Sequence, residues 1–316
     1  MTHDILIAEI SGKRPGTSKQ RTSEGMDWGD YDKVIISNNS EGYETDWQIV
    51  DVPQDYREYY ERNFRTSSGG AWLAPMNRSY AIKYAREHGY KYLVQIDDNI
   101  RQLGIEYRLE RDGYFAVYRA HAEPVDFIEM MTCVLSETNA GIVGCSLLGV
   151  SLPDADFLRE RYCYSFFAMN LERIPDEYHG DFEDDIEFRY KLLQMGVPMV
   201  QISPLRYIKI SQNENSAKHK EDLTGNRAEY AKAGVQRGDK MSVLYGDLYR
   251  RGQQNHNRSI LGKAESDKLY FKHKLATFEL GVLVRQGGME RIKNCMRALL
   301  ERRANTNIEN AVKIKN

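Results

Sequence analysis

The chain has 316 residues, enough to bury a full core without staples, and its 41% hydrophobic and 28% charged residues exclude the disordered, fibrous and disulfide-scaffold classes. No stretch approaches the roughly 18 apolar residues of a membrane span, and the N-terminus enters the strand-like DILIAEI at once with no secretory leader pattern, so a cytoplasmic protein is expected. A net charge of −2 hides an asymmetry: residues 1–204 carry 21 Lys and Arg against 34 Asp and Glu, and residues 205–316 carry 23 against 12, so the basic segment either steers a polyanion or packs on the acidic part.

Taken in chain order, residues 4–10 form the first predicted strand. A long loop follows over 11–31, SGKRPGTSKQRTSEGMDWGDY, whose Lys13, Arg14, Lys19 and Arg21 can close over phosphates or simply face solvent. Strands are predicted at 33–38 and 47–51. A helix is predicted at 75–88, with Pro75 in its first turn, Met76, Tyr80, Ala81 and Tyr84 on one face and Gly89 as the stop. Next come a strand at 90–97, a helix at 124–138 opened by Pro124, strands at 141–147 and 162–169, a helix at 183–195 stopped by Gly196, and a strand at 198–203. This alternation predicts an α/β domain with a mostly parallel sheet flanked by helices. Beyond about residue 205 the strand pattern fades, and NRAEYAKAG and DKLYFKHKLATFELGVLVRQ are predicted to be helical. The expected division is therefore a catalytic domain over 1–205 and a basic, mainly helical region over 206–316. Cys133, Cys145, Cys163 and Cys295 stand apart in apolar surroundings, as reduced thiols do.

Two acidic clusters carry the chemistry. YKYLVQIDDNI ends an apolar strand in Asp97, Asp98 and Asn99. Polar residues there can be a plain turn, but adjacent acids beside a buried strand are easier to understand if a cation or a ribose is held at that end, where open parallel sheets bind ligands. DFEDDIEFRYKLLQMG then places Asp181, Glu183, Asp184, Asp185 and Glu187 at a helix start. Acids in a first turn complement the helix dipole, yet capping needs only one or two, and an acid fixed there is well placed as a general base.

In order and spacing these segments resemble the GT-A glycosyltransferases, in which a helix carrying an Arg precedes the strand that ends in the DXD motif and a later "xED" segment supplies the base of inverting enzymes. The resemblance covers roughly residues 1–205. IDDN together with FEDDIEFRYKLLQMG is most similar to the TET/JBP-associated glycosyltransferases of phages and kinetoplastids, which glycosylate hydroxymethylated pyrimidines in DNA. It implies a Rossmann-like GT-A fold, a UDP-sugar donor, glucose transfer with inversion, a Mn²⁺ or Mg²⁺ ion, and DNA carrying 5-hydroxymethylpyrimidines as acceptor, in host cytoplasm for a phage protein. Carried over by position, Asp97 and Asp98 lie against the nucleotide, Asn99 stands where the second acid of DXD chelates the metal, and Asp97 and His219 complete the metal set, with His256 behind His219. Arg78 neutralises the acids or touches a phosphate, and Ser37 with Asn38 meets the base. Asp184 is the implied base, with Asp185 and Glu183 as neighbours in the same role. Asn99 departs from the pattern, since an amide ligates without charge.

Other readings of the residues are a transferase acting on a glycan or small molecule, a sugar nucleotidyltransferase, of whose Gly-rich loop SGKRPGTSKQR is a faint version, and a noncatalytic nucleic-acid binder using the basic segment, for which no recognition motif is present.

Overall fold

The computed structural model describes residues 4–12, 22, 25–64, 73–111, 114–147, 157–179, 184–209, 239–253, 271–275 and 280–305. A ten-stranded mixed sheet lies at the centre. β1 (Ile5–Ser11), β2 (Asp32–Ser37), β3 (Gln48–Asp51) and β4 (Tyr92–Asp97) are mutually parallel in the order β3-β2-β1-β4. The sheet continues from β4 through β9 (Phe166–Asn170), β7 (Ile142–Leu147), β10 (Met199–Lys209), β5 (Ile100–Arg111) and β6 (Tyr114–Ala122), and the short β8 (Leu158–Glu160) pairs with β10. All but β5, β8 and β9 run in one direction.

β1 is buried at every position, as a strand covered on both faces must be. Its Leu6, Ala8 and Ile10 pack with Tyr56 and Tyr60 of α1 (Gln54–Phe64), Met76 and Ile82 of α2 (Leu73–Glu87), and Phe188 and Leu192 of α4 (Asp184–Gln194). On the other face, Ile5 and Ile7 join the core built on Phe127 and Ile128 of α3 (Pro124–Glu137) and on Ile292, Met296, Leu299 and Leu300 of α6 (Gly288–Ala304). The result is three layers, helix–sheet–helix. Among the described residues, no helix is long and apolar enough to cross a membrane.

Glycine stops α2 and α4 by one mechanism. Gly89 has φ +78°, its N–H donates to Arg86 O at 3.1 Å, and Tyr90 N–H donates to Ala85 O at 3.0 Å. Gly196, φ +71°, repeats the pattern, with Val197 N–H on Leu192 O at 2.9 Å. Only glycine adopts this left-handed geometry without steric cost, and it satisfies the last carbonyls of each helix.

Several expectations need correction. The strand expected at 162–169 begins only at Phe166, because Ser165 takes φ +63° and turns the chain. Phe271–Leu275, expected to be helical, is β12, which pairs with β11 (Tyr249–Gln253). Cys133 and Cys295 are not isolated, since the thiols share a hydrogen bond that lowers the pKa of Cys133. The helical expectation for NRAEYAKAG lies outside the described residues. Besides α6, the C-terminal part holds α5 (Asp239–Tyr245), and Tyr245 and Tyr249 pack on Ile186 and Tyr190 of α4.

Candidate active site

The parallel strands β1, β2 and β4 end side by side, and their C-terminal ends bring together residues scattered through the sequence. β4 is apolar except for Gln95, fully buried, and Asp97 at its tip. Arg78 reaches this tip from the buried half of α2: Nη1 donates to Gln95 Oε1 at 3.3 Å, Nη2 pairs with Asp97 Oδ1, and Nε lies 3.0 Å from Asp184 Oδ2 at the start of α4. One guanidinium thus joins the two acidic clusters that the sequence holds far apart. Gln95 Nε2 donates back to Arg78 O at 2.9 Å, fixing the helix against the strand.

The second oxygen of Asp97 pairs with Lys209 Nζ. Lys209 was not anticipated. It arrives because β10 shifts register past Ile202 and then runs antiparallel to β5, which sets Lys209 opposite Ile100, immediately after the acidic turn. Burial by itself would raise the Asp97 pKa, but Lys209 and Arg78 outweigh it and hold the carboxyl well below the ordinary carboxylate range. Burial likewise works against the charge on Arg78, yet Asp97 and Asp184 keep its pKa above the usual value.

The turn itself is held from two directions. Thr22, fully buried in the long loop after β1, donates to Asp97 O at 2.7 Å and accepts from Ile100 N–H at 2.8 Å. Asp97 N–H donates to Ser165 O at 2.8 Å, which gives the strained Ser165 backbone a purpose. Asp98 is buried and accepts from Ser11 Oγ at 2.8 Å. Asn99 Oδ1 is buried with no hydrogen-bond partner among the described residues.

Asn38 follows β2 and is buried; Asn77 Nδ2 donates to Ser11 O at 2.9 Å and lies 3.5 Å from Asn38 Oδ1. Gly12 makes room for it, since a Cβ there would stand 2.8 Å from Asn38 Oδ1. Ser37 Oγ is engaged in its own turn, donating to Asn39 O at 2.8 Å. Asp185 Oδ1 accepts the Ile186 N–H at 2.9 Å. Glu187, one of the helix-start acids, is structural: fully buried, it accepts from Tyr245 O–H at 2.8 Å and His179 N–H at 3.1 Å. Arg21, Glu183, His219 and His256 lie outside the described residues.

The donor chemistry suits a hard divalent cation in part. Asp97, Asp98, Asp184 and Asp185 outnumber the cations Arg78 and Lys209, and Asn99 Oδ1 is an oxygen awaiting a partner. Among the described residues, no group of three His, Cys, Asp or Glu side chains is arranged to hold a metal. Both oxygens of Asp97 are already paired with cations, so a metal ion at this turn would be held by Asn99 and Asp98.

No family model and no curated protein matches the sequence. Among solved structures, a chain from Desulfovibrio desulfuricans G20 designated a nucleotide-diphospho-sugar transferase is similar over 77% of this chain and 98% of its own, at 12% identity and a TM-score of 0.34. Glucosyl-3-phosphoglycerate synthase from Mycobacterium tuberculosis, solved with Mn²⁺, UDP and phosphoglyceric acid, is similar over 91% of both chains, at 10% identity and a TM-score of 0.36. Neither likeness bears on the chemistry, which rests on the site.

Proposed function

We propose that this chain is a nucleotide-sugar-dependent glycosyltransferase of the GT-A type that moves a sugar from a UDP-sugar to a hydroxyl acceptor with inversion. The observation that carries the proposal is the Arg78 bridge, which sets the strand-end acid Asp97 beside the helix-start acid Asp184 at the carboxyl end of a parallel sheet. Breaking the anomeric C–O bond passes through an oxocarbenium-like state and expels a diphosphate. A divalent cation held by Asn99 and Asp98 would offset the charge growing on that leaving group. Arg78 and Lys209 add fixed positive charge at the same strand end. Asp184 is oriented by its Oδ2 contact with Arg78, and its Oδ1 takes the proton of the acceptor hydroxyl as that oxygen bonds the anomeric carbon. Attack opposite the leaving group inverts the configuration. Asp185 is the rival base.

The finer assignments are glucose as the sugar and a 5-hydroxymethylpyrimidine in DNA as acceptor. They are supported by the resemblance of IDDN and FEDDIEFRYKLLQMG to the DNA-modifying enzymes and by the basic character of residues 205–316. Mass spectrometry of hydroxymethylcytosine and hydroxymethyluracil DNA after incubation with a panel of sugar nucleotides tests both. A hexose increment on one base is expected; donor turnover with no increment on either would remove DNA as acceptor and leave a glycan or small molecule.

A further inference from the structure

Arg189 stands out among the inward-facing arginines. Arg78 meets two carboxylates, Arg173 Nη1 meets the carbonyls of Leu135, Thr138 and Ala140, and Arg206 lies 3.1 Å from Glu106. Arg189, on α4, is only 5% exposed, yet its Nε and Nη1 are buried with no hydrogen-bond acceptor among the described residues. Its guanidinium carbon lies 4.8 Å from the centre of the Tyr162 ring. The neighbouring groups are Tyr162, Cys163, Glu160 and Tyr164, and burial lowers the Arg189 pKa. Glu160, the acid among them, is engaged elsewhere: its oxygens accept the N–H groups of Leu280 at 3.0 Å and Gly281 at 2.7 Å. Stacking on one ring does not replace the acceptors a guanidinium loses on leaving water.

A buried guanidinium with two of its nitrogens lacking acceptors is costly to the empty protein and is explained if an oxyanion supplies them on binding. The position fits. Arg189 is one helical turn, about 6 Å, beyond Asp185 on the same helix, and the segment from Tyr162 to Ser165 runs from its stacking ring to the carbonyl that holds Asp97. We propose that Arg189, beneath Tyr162, forms an anion subsite that takes the phosphate or carboxylate group of the acceptor. Its assignment to an acceptor rests on the transferase function proposed above; the anion site itself does not.

Isothermal titration of the full chain with inorganic phosphate and, separately, with acetate tests it and distinguishes the two anions. The wild type is expected to bind one of them, and Arg189→Met to lose at least tenfold in affinity while melting, in phosphate-free buffer, no lower than the wild type. Arg189→Lys, which keeps the charge but not the planar fork, is expected to bind several-fold more weakly and serves if the Met variant does not fold. No anion binding by the wild type, equal binding by the variants, or a markedly lower melting temperature for a folded Arg189→Met would overturn the site. Binding that depends on Arg189 without any sugar transfer would leave the anion site standing and remove its role in acceptor binding.

Discussion

At Asp97 the carboxylate is held by two cations, and its depressed pKa fixes the direction of its pH dependence. A group whose folded pKa lies below its unfolded value of about 4 stabilises fully above that value and loses its contribution as pH falls through the folded one. Asp97→Asn should therefore be less stable than the wild type near neutral pH, by about 3 kcal/mol for one lost partner of a buried pair, with the gap closing below about pH 4. Urea unfolding of both proteins across that range measures it. Asp184 makes a different forecast. Arg78 keeps Asp97 as its carboxylate partner, so Asp184→Asn should cost only about 1 kcal/mol of stability, while turnover falls roughly 10²- to 10⁴-fold for a lost proton acceptor. A fully active Asp184→Asn with a dead Asp185→Asn would move the base by one residue. Asp97, Asp98, Asn99, Arg78, Asn38 and Asp184 were legible because charged or amide residues interrupt or end apolar patterns. Lys209 and Thr22 were not, because only a register shift in β10 and the path of a long loop bring them to the turn.

At the level of elements, the buried acid Asp126 adds a charged tie between α3 and α6 to the apolar packing of α6. Asp126, 1% exposed, caps the first turn of α3 through the Glu123 N–H at 2.8 Å and also pairs with Arg302 and, at 2.7 Å, with Arg303. Asp126→Ala is expected to raise amide hydrogen exchange over residues 288–304 and at the start of α3, and to leave α2 and β4 protected; unchanged exchange in α6 would show that its apolar face alone docks it. The central strands and α2, α3 and α4 were readable from period and punctuation, Gly89 and Gly196 included. α1 was missed because its inward positions, Tyr56 and Tyr60, are set among charged residues. The β5–β6 pair was missed although Asp112-Gly113, a two-residue hairpin signature, stands between its strands. β12 was missed because its two apolar residues, Phe271 and Leu275, are four apart, a spacing that fits a helix as well as a strand.

Over the whole molecule, the acidic first part and basic last part make opposite contributions to meeting a polyanion. If DNA is the acceptor, contacts from Lys218, Lys220, Arg250, Arg251 and Arg258 are proposed, and activity on polymeric DNA should fall steeply with salt while activity on a free hydroxymethylated nucleoside does not. Parallel salt dependence would favour a small acceptor. All of this presupposes a sugar nucleotide at the strand end, and calorimetric titration of UDP-glucose in the presence of Mn²⁺ tests that most directly. Binding heat with UDP-glucose, none with nucleoside triphosphates, and loss of the heat in a folded Arg78→Met protein are the predicted results. No heat with any sugar nucleotide, or undiminished binding in Arg78→Met, would contradict the site.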